Sequence, residues 1–390
     1  MGCVRRPGYM ALSRVVPGRI FWRADQLLPR RADEPDHWPK IAAVIPARDE
    51  AETIAQAVRS IAGQDYPADV TIVVVDDGST DGTAAEAKSG ATGSGVIDVI
   101  HGQQLPDGWP GKMWAVAQGI DRAGQLAPDA AHLLLTDADI EHAPDSLRRL
   151  VAKAEQENLD LVSLMVKLRG QSAWEKLLIP AFIFFFQKLF PFPWVNNPGR
   201  LEAVAAGGCM LVRRKALLRI RGFSRIRDRV IDDCALAAAI KPGGAIWLGL
   251  AEDSHSLRGY DGLRGLWDMI AGTAFVQLKN SYSLLFGTVL GMIVLYPMPP
   301  MAVLVGAWLA DARIFLPGFL AWICMVYLYL PTVGLYGAPR WRAVLLPVAA
   351  VFYTAMTLDS AWRIWRGFGA GWKGRSYGPS SSKPERQVGE

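Results

Sequence analysis

Val70-Thr-Ile-Val-Val-Val-Asp-Asp-Gly-Ser-Thr-Asp-Gly-Thr83 decides how the rest of the chain is read. An uninterrupted β-branched run reads as a strand buried on both faces, so it belongs in the middle of a parallel sheet covered by helices. Asp76 and Asp77 stand at its carboxyl end. In open α/β sheets ligands bind in the crevice beyond the carboxyl ends of the strands, and Gly78 and Gly82 let the backbone turn there before a helix begins near Thr83. Such a crevice suits a nucleotide. The same two acids also fit a plain strand end that caps the next helix, so this stretch alone leaves both readings open.

Working outward, the 390 residues have room for one large domain or two ordinary ones, and 51% of them are apolar, which is high for a purely soluble protein. The excess sits in residues 283–362, which carry almost no charge, whereas residues 40–260 alternate apolar runs with charged segments. A domain boundary is expected between them. Net charge is +5, with basic residues clustered near the N-terminus and in the tail, a pattern that suits an anionic membrane surface and not a nucleic-acid groove. Cys3, Cys209, Cys234 and Cys324 show no metal-site or disulfide spacing, which favours a reduced, cytoplasmic setting for the polar part.

Residues 1–37 contain no apolar run long enough for a signal peptide or a span and are expected to form a basic, poorly ordered or surface-lying leader. Ile41–Ile45 reads as a strand, Pro46-Ala-Arg-Asp-Glu50 as its carboxyl-end loop and Glu52–Ala62 as a helix, which with the Val70 strand makes a βαβ unit. Val96–Ile100 reads as the next strand and Trp114–Ala123 as the next helix. The glycine-rich loop between them ends in Lys112, placed to meet a phosphate or simply solvated beside a turn. His132–Thr136 is a third apolar strand, ending in Asp137-Ala138-Asp139. In an extended chain these two carboxylates point to one face, where a divalent cation such as Mg2+ or Mn2+ could bridge them to a diphosphate; they fit helix-capping acids before Pro144–Glu155 as well.

Further strands are expected at Leu159–Val166 and Ala245–Leu250, and Leu177–Phe186 reads as an apolar helix too short to span, lying at the interface or beneath the domain. Gly207-Gly208 would let a substrate lie against the backbone, or mark a bulge or turn. Asp232 and Asp233 open a helix running to about Ile240, as caps or as a base toward a hydroxyl nucleophile. Residues 261–282 are expected to hold one amphipathic interfacial helix, Gly262–Ser281. Ser283–Ala310, broken by Pro297, Pro299 and Pro300, then Ile314–Pro339 and Ala343–Trp362 are each long enough to span, before a basic, disordered tail at 363–390. Three spans would put that tail opposite the catalytic domain, yet Arg363, Arg366, Lys373 and Arg375 favour the cytoplasmic side. Either the broken segment is re-entrant or the charge bias is overruled.

Taken in order, Pro46–Glu50, Val73–Thr83, Asp137-Ala-Asp139 and Ile231-Asp-Asp233 resemble the motifs of family 2 glycosyltransferases over about residues 38–260. With Gly111-Lys112-Met-Trp114, Ala206–Arg213 and the C-terminal spans, the whole chain is similar to the hopanoid-biosynthesis-associated members, though it lacks a recognisable N-terminal span. No Gln-x-x-Arg-Trp motif of processive synthases is present, which argues against a polymerase. The resemblance implies an α/β GT-A catalytic domain, Rossmann-like with a mostly parallel sheet flanked by helices, plus C-terminal transmembrane helices. It implies an inverting, metal-dependent hexosyl- or N-acetylhexosaminyltransferase at the inner membrane, multi-pass, with its catalytic domain facing the cytoplasm. The donor would be a nucleotide-diphospho-sugar, UDP-linked, and the acceptor a lipid hydroxyl. Pro46 and Glu50 would line the nucleotide pocket, Asp77 with Asp76 in support would hold base or ribose, and Asp137 and Asp139 would approach metal and diphosphate. Asp233 would be the general base, with Asp232 the alternative. A polyprenyl-phosphate or ceramide-type sugar transferase and a catalytically silent lipid-binding scaffold are the competing readings.

Overall fold

Three acidic motifs of the sequence end neighbouring strands of one sheet. The computed structural model describes residues 21–30, 34–91, 96–223, 232–366, 371–372 and 375–376. From Ile41 the chain runs through β1 (Ile41–Ala47), α1 (Ile54–Ala62), β2 (Val70–Asp76), α2 (Thr83–Ser89), β3 (Val96–His101) and α3 (Gly111–Leu126). It continues through β4 (His132–Thr136), β5 (Ile140–Glu141), α4 (Ser146–Gln156), β6 (Leu161–Lys167), α5 (Ala173–Leu189), α6 (Phe192–Val195), β7 (Cys209–Arg213) and α7 (Arg214–Arg219). Then come α8 (Asp232–Ile240), β8 (Ile246–Ser256), α9 (Gly262–Ala271) and α10 (Ala274–Gln277). The apolar region holds α11 (Tyr282–Leu295), α12 (Met298–Trp308), α13 (Ala312–Leu335) and, after a 3₁₀ turn at Arg340–Leu345, α14 (Leu346–Trp365).

The eight strands form one sheet in the order β3-β2-β1-β4-β7-β6-β8-β5. β3, β2, β1 and β4 are mutually parallel, β7 runs antiparallel to both β4 and β6, and β6 and β8 are parallel. The sheet is therefore mostly parallel and helix-covered, as the β-branched strand requires. Period-two alternation divides that strand between two cores. Val73 and Val75 pack with Met113, Ala115 and Val116 of α3 and with Leu236 and Ile240 of α8. Ile72 and Val74 pack on the other face with Ile54, Val58 and Ile61 of α1, Ala87 of α2 and Leu147 and Leu150 of α4.

A third core joins the sheet domain to the apolar helices: Leu178, Ile179 and Phe184 of α5 and Leu266 and Ile270 of α9 are buried with Met325, Tyr329, Val333, Leu346 and Tyr353. The apolar segment Leu177–Phe186 is thus part of α5, wedged between sheet and C-terminal helices, because both flanks of a helix apolar all round must be covered. Two of those helical segments, Ala312–Leu335 and Arg340–Trp365, are long and apolar enough to cross a membrane. The first expected span is instead two helices, α11 and α12, bent by 41° at the proline-rich break, so it counts as a third span only if the pair crosses as one.

Two expectations are corrected. Gly262–Ser281 is not one helix: α9 stops at Gly272, α10 is a single turn, and Lys279 and Asn280 take positive φ of 55° and 53°, which no continuing helix permits. Within the leader, residues 21–30 are packed and not loose. Leu28 is buried, the Leu250 N–H donates to the Gln26 carbonyl at 2.7 Å, and the buried Arg149 donates to the carbonyls of Leu28 (3.1 Å) and Pro29 (2.9 Å).

α3 approaches the sheet through Gly119, where a Cβ would stand 2.4 Å from Val44 Cγ1 and 3.0 Å from Val75 Cγ2. Gly119→Val, which forces bulk into that contact although valine is the better helix former, is expected to cost roughly 3 kcal/mol, read as a lowered unfolding midpoint in detergent.

Candidate active site

The register of β4 against β7 pairs Thr136 with Cys209, so the turn that leaves β4 and the turn that enters β7 lie side by side. The Thr136 hydroxyl donates to the Gly208 carbonyl at 2.8 Å, which fixes the second turn to the end of β4. That hydroxyl therefore accepts from His142 Nε2 at 2.9 Å, and the ring carries its proton on Nε2. From the same turn the Gly207 N–H donates to Asp233 Oδ2 at 2.8 Å. A Cβ on Gly207 would lie 3.4 Å from that oxygen and 3.6 Å from Lys112 Nζ, so this turn sits between the carboxylate and the ammonium. Asp233 Oδ1 also accepts from the Cys234 N–H at 2.7 Å, which ties the carboxylate to the first turn of α8.

Lys112, in the first turn of α3, lies 2.7 Å from Asp137 Oδ1 with both side chains partly exposed. Pro46, Lys112, Thr136, Asp137, Gly207 and Phe223 line one small recess. Predicted residues from β1, α3 and β4 are thereby brought together, with Asp233 adjoining through Gly207. Asp232 is the first residue of α8, and its side chain lies outside the described residues.

Asp76 and Asp77 end β2 beside this recess, and both are buried. Asp76 Oδ1 accepts from the Ser79 N–H at 3.0 Å, shaping the turn at Gly78, whose φ is +70°. The Asp77 N–H donates to the Ala47 carbonyl at 2.9 Å, and Asp77 Oδ2 lies 3.6 Å from Arg48 Nη1. The loop after β1 is laced to the loop after β2: Asp49 accepts from the Thr80 N–H (2.9 Å), and the Glu50 N–H donates to Thr83 Oγ1 (2.8 Å).

Asp137, Ala138 and Asp139 form a turn and not an extended segment, so the two acids part company. Asp139 is buried, accepts from Ser256 Oγ at 2.8 Å and lies 3.4 Å from Arg258 Nε. Arg258 also pairs with Glu50. Burial opposes its charge, but Asp139, Glu50 and Asp137 more than offset this and raise the guanidinium pKa above its ordinary value. Glu50 and Arg258 line a neighbouring groove of about 650 Å³, together with Arg169, Ser172, Glu175 and Tyr260. None of Asp77, Lys112, Asp137 and Asp233 lines that groove. Arg258 escaped the sequence reading: it sits in Ser-Leu-Arg-Gly-Tyr with no motif around it, and only the fold carries it across 208 positions to Glu50.

Among the described residues no group of three or more His, Cys, Asp or Glu side chains converges as a metal cage. A Mg2+-type ion needs no such cage, since it takes one or two carboxylates and completes its shell with phosphate oxygens and water. Of the two expected ligands Asp137 faces the recess, whereas Asp139 is turned to Ser256 and Arg258, so Asp137 is the carboxylate placed to meet such an ion.

The comparisons with known proteins follow the geometry. Residues 42–221, a little under half of the chain, match Glycosyl transferase family 2, and they lie in the mixed α/β part with its mostly parallel sheet. The 4,4'-diaponeurosporenoate glycosyltransferase of Staphylococcus aureus (strain bovine RF122) is 36% identical over 115 residues, covering 29% of this chain and 28% of that protein. Its counterpart in strain MRSA252 is 42% identical over 84 residues, 21% of this chain and 20% of that one. Two solved structures share the general shape. The mannosyltransferase PcManGT from Pyrobaculum calidifontis, in complex with GDP-Man and Mn2+, has a TM-score of 0.47 at 18% identity over 87% of this chain and 93% of its own. Glucosyl-3-phosphoglycerate synthase from Mycobacterium tuberculosis, with Mg2+ and uridine-diphosphate, has a TM-score of 0.38 at 18% identity over 61% and 79%.

Two buried histidines, His142 just after β5 and His132 at the far end of β4, set a pH limit on the fold. Burial lowers the pKa of His142 to about 4. Burial, and then the charge of Arg213, do the same to His132, although Glu155 Oε1 lies 3.2 Å from its Nε2. Burial wins there because Glu155 is already paired with Arg213 at 3.2 Å. Below the unfolded value of about 6.5 the unfolded chain binds protons that the folded one refuses until about 4. Stability present above pH 6.5 is accordingly expected to fall as the pH drops toward 4, by about 1.4 kcal/mol per pH unit for each histidine. Denaturation midpoints at pH 7 and pH 5 measure this, and His142→Gln should remove roughly half of the histidine share. A slope unchanged in both His132→Gln and His142→Gln would refute it.

Proposed function

We propose that the protein is a membrane-associated, inverting glycosyltransferase that moves a sugar from a nucleotide-diphospho-sugar to a lipid hydroxyl. The observation that carries this is the convergence of Lys112, Asp137, Gly207 and Asp233 beside Asp77. Pro46 and Asp77, with Asp76 behind it, would hold the UDP-type nucleotide, and Lys112 would set a positive charge toward the diphosphate. Glu50 acts from the flank, holding Arg258 against Asp139. A divalent ion, met by Asp137 with Asp139 behind it in the same turn, would stabilise the negative charge that grows on the departing diphosphate.

The reaction is one displacement. The acceptor oxygen forms a bond to the anomeric carbon, the bond from that carbon to the diphosphate oxygen breaks with its electron pair, and the acceptor's proton passes to Asp233. Its carboxylate is suited to that role because Gly207 and Cys234 hold both oxygens in place by N–H donors while the side chain remains partly exposed. Asp232 is the less favoured base. The lipid acceptor is supported by the apolar helices continuous with the domain and by relatives named for transfer to 4,4'-diaponeurosporenoate, a lipid-like acceptor. A hopanoid acceptor and a hexosyl or N-acetylhexosaminyl donor complete the reading and rest on the sequence resemblance. The nucleotide donor places the domain on the cytoplasmic face of the inner membrane.

Asp233→Asn keeps shape and hydrogen bonding but takes no proton. It is expected to cut transfer by about 10²–10⁴ while nucleotide binding stays near normal, read by glycolipid analysis of cells carrying the variant and by binding to the purified protein. Near-wild-type glycolipid in those cells would overturn the assignment. Exhaustive chelation is expected to abolish transfer, with Mg2+ or Mn2+ restoring it; full activity after chelation would count against the metal.

A further inference from the structure

We infer that α14, although long and apolar enough to cross a bilayer, lies along its surface, that α12 and α13 enter and return as a hairpin, and that the chain after Trp365 stays on the catalytic domain's side. The inference rests on the membrane reading of the apolar helices and not on the transfer chemistry.

α14 is fastened to domain elements along most of its length. The Trp174 and Phe352 rings meet edge-on at 5.4 Å, and the Tyr353 hydroxyl donates to the Leu178 carbonyl at 2.9 Å, both in the first turns of α5. Two turns later Trp267 Nε1 of α9 donates to Asp359 at 2.7 Å, and the Phe275 N–H of α10 donates to Ser360 Oγ at 3.0 Å. Arg363 then pairs with Asp268 and Asp359, both at 2.8 Å. α9 carries Arg264 and Asp268 exposed on its outer face, so it belongs at the polar layer and not in hydrocarbon. The other end is held on the same side: α13 reaches the 3₁₀ turn at Arg340–Leu345 through Tyr336, which packs against the sheet core with the Lys167 ammonium 5.6 Å above its ring. A helix with both ends tied to one face of one domain cannot also cross away from that face.

α11 repeats the pattern. Its first residue, Tyr282, lies against Phe275 with the rings tilted by 50°, and just beyond its last turn Tyr296 meets Phe185 and accepts from Lys188 of α5 at 3.1 Å. What projects is the hairpin. α12 and α13 are pressed together at Gly306, where a Cβ would lie 2.5 Å from the Phe315 nitrogen, and at Gly318, 2.9 Å from the Pro299 carbonyl. Leu304, Leu316, Phe319, Leu320 and Ile323 are exposed on it, whereas beyond Tyr327 the inner half of α13 is largely covered, with Tyr329, Thr332 and Val333 buried. From Ala312 to Tyr327 the exposed part measures about 23 Å at ~1.5 Å per residue, led by Trp308, Asp311 and Arg313 at the tip.

Charge agrees with this placement. Arg340 and Arg342 precede α14, and Arg363 and Arg366 close it. A crossing helix would strand one basic pair outside; a helix lying flat keeps both pairs, and Lys373 and Arg375, on the side that basic residues favour. Its lipid-facing surface is then Val348, Val351, Leu358, Trp362 and Trp365, all exposed, with the tryptophans at headgroup depth.

The test uses the full chain with one epitope tag after Glu390 and a different one inserted after Ala91, in a loop of the catalytic domain, both first shown to bind antibody in detergent. In sealed inside-out and right-side-out vesicles, both tags are expected to bind antibody in the same orientation and to be protected together in the other. Accessibility in opposite orientations means an odd number of crossings and overturns the inference.

Discussion

The antiparallel pairing of β7 with β4 is the constraint on which the rest of the site depends. With Thr136 opposite Cys209, the chain enters β7 at the same edge where it leaves β4, and one threonine hydroxyl joins the two turns. A parallel neighbour would have delivered its amino end to the far edge of the sheet. Gly207 could not then present its N–H to Asp233, and the acid at the head of α8 would lack its anchor beside Lys112 and Asp137.

Collecting many acids at one end of a sheet is costly, because buried carboxylates need charge or hydrogen bonds to replace water. The fold meets this with cations drawn from different parts of the chain. Arg48 stands by Asp77, Lys112 by Asp137, and Arg258 between Asp139 and Glu50. Backbone N–H groups serve Asp76 and Asp233. Each device gives an acid a partner in place of water and orients its carboxylate.

The sheet domain and the apolar helices are one packed body. α5 leaves the sheet after β6 and returns to it before β7, so the helix that completes the domain is the same helix that α13 and α14 cover. Site and membrane region therefore share a core. Arg258 and Tyr260, at the flank of the crevice, stand only a few residues before α9, which packs on α14.

By itself the sequence determined the strands β1 to β4, β6 and β8, though not β5 or β7, together with the sheet's largely parallel character, the acidic ends of β2 and β4 and the existence of an apolar C-terminal region. These are local signals: β-branched runs, period-two burial and the length of uncharged segments. It could not decide which acids share a pocket. Asp137 and Asp139 look equivalent in Asp-x-Asp, but a turn sends one toward Lys112 and the other toward Ser256 and Arg258. Nor could it find Arg258, whose partners lie 119 and 208 positions away, or see that Gly262–Ser281 breaks at Gly272. Hydropathy likewise marks α14 as a span by composition, whereas its direction depends on what its ends touch. Periodicity reports which face of an element is covered, and only the tertiary structure decides by what, because pairing between distant segments is set by sheet register and packing and leaves no trace in local pattern.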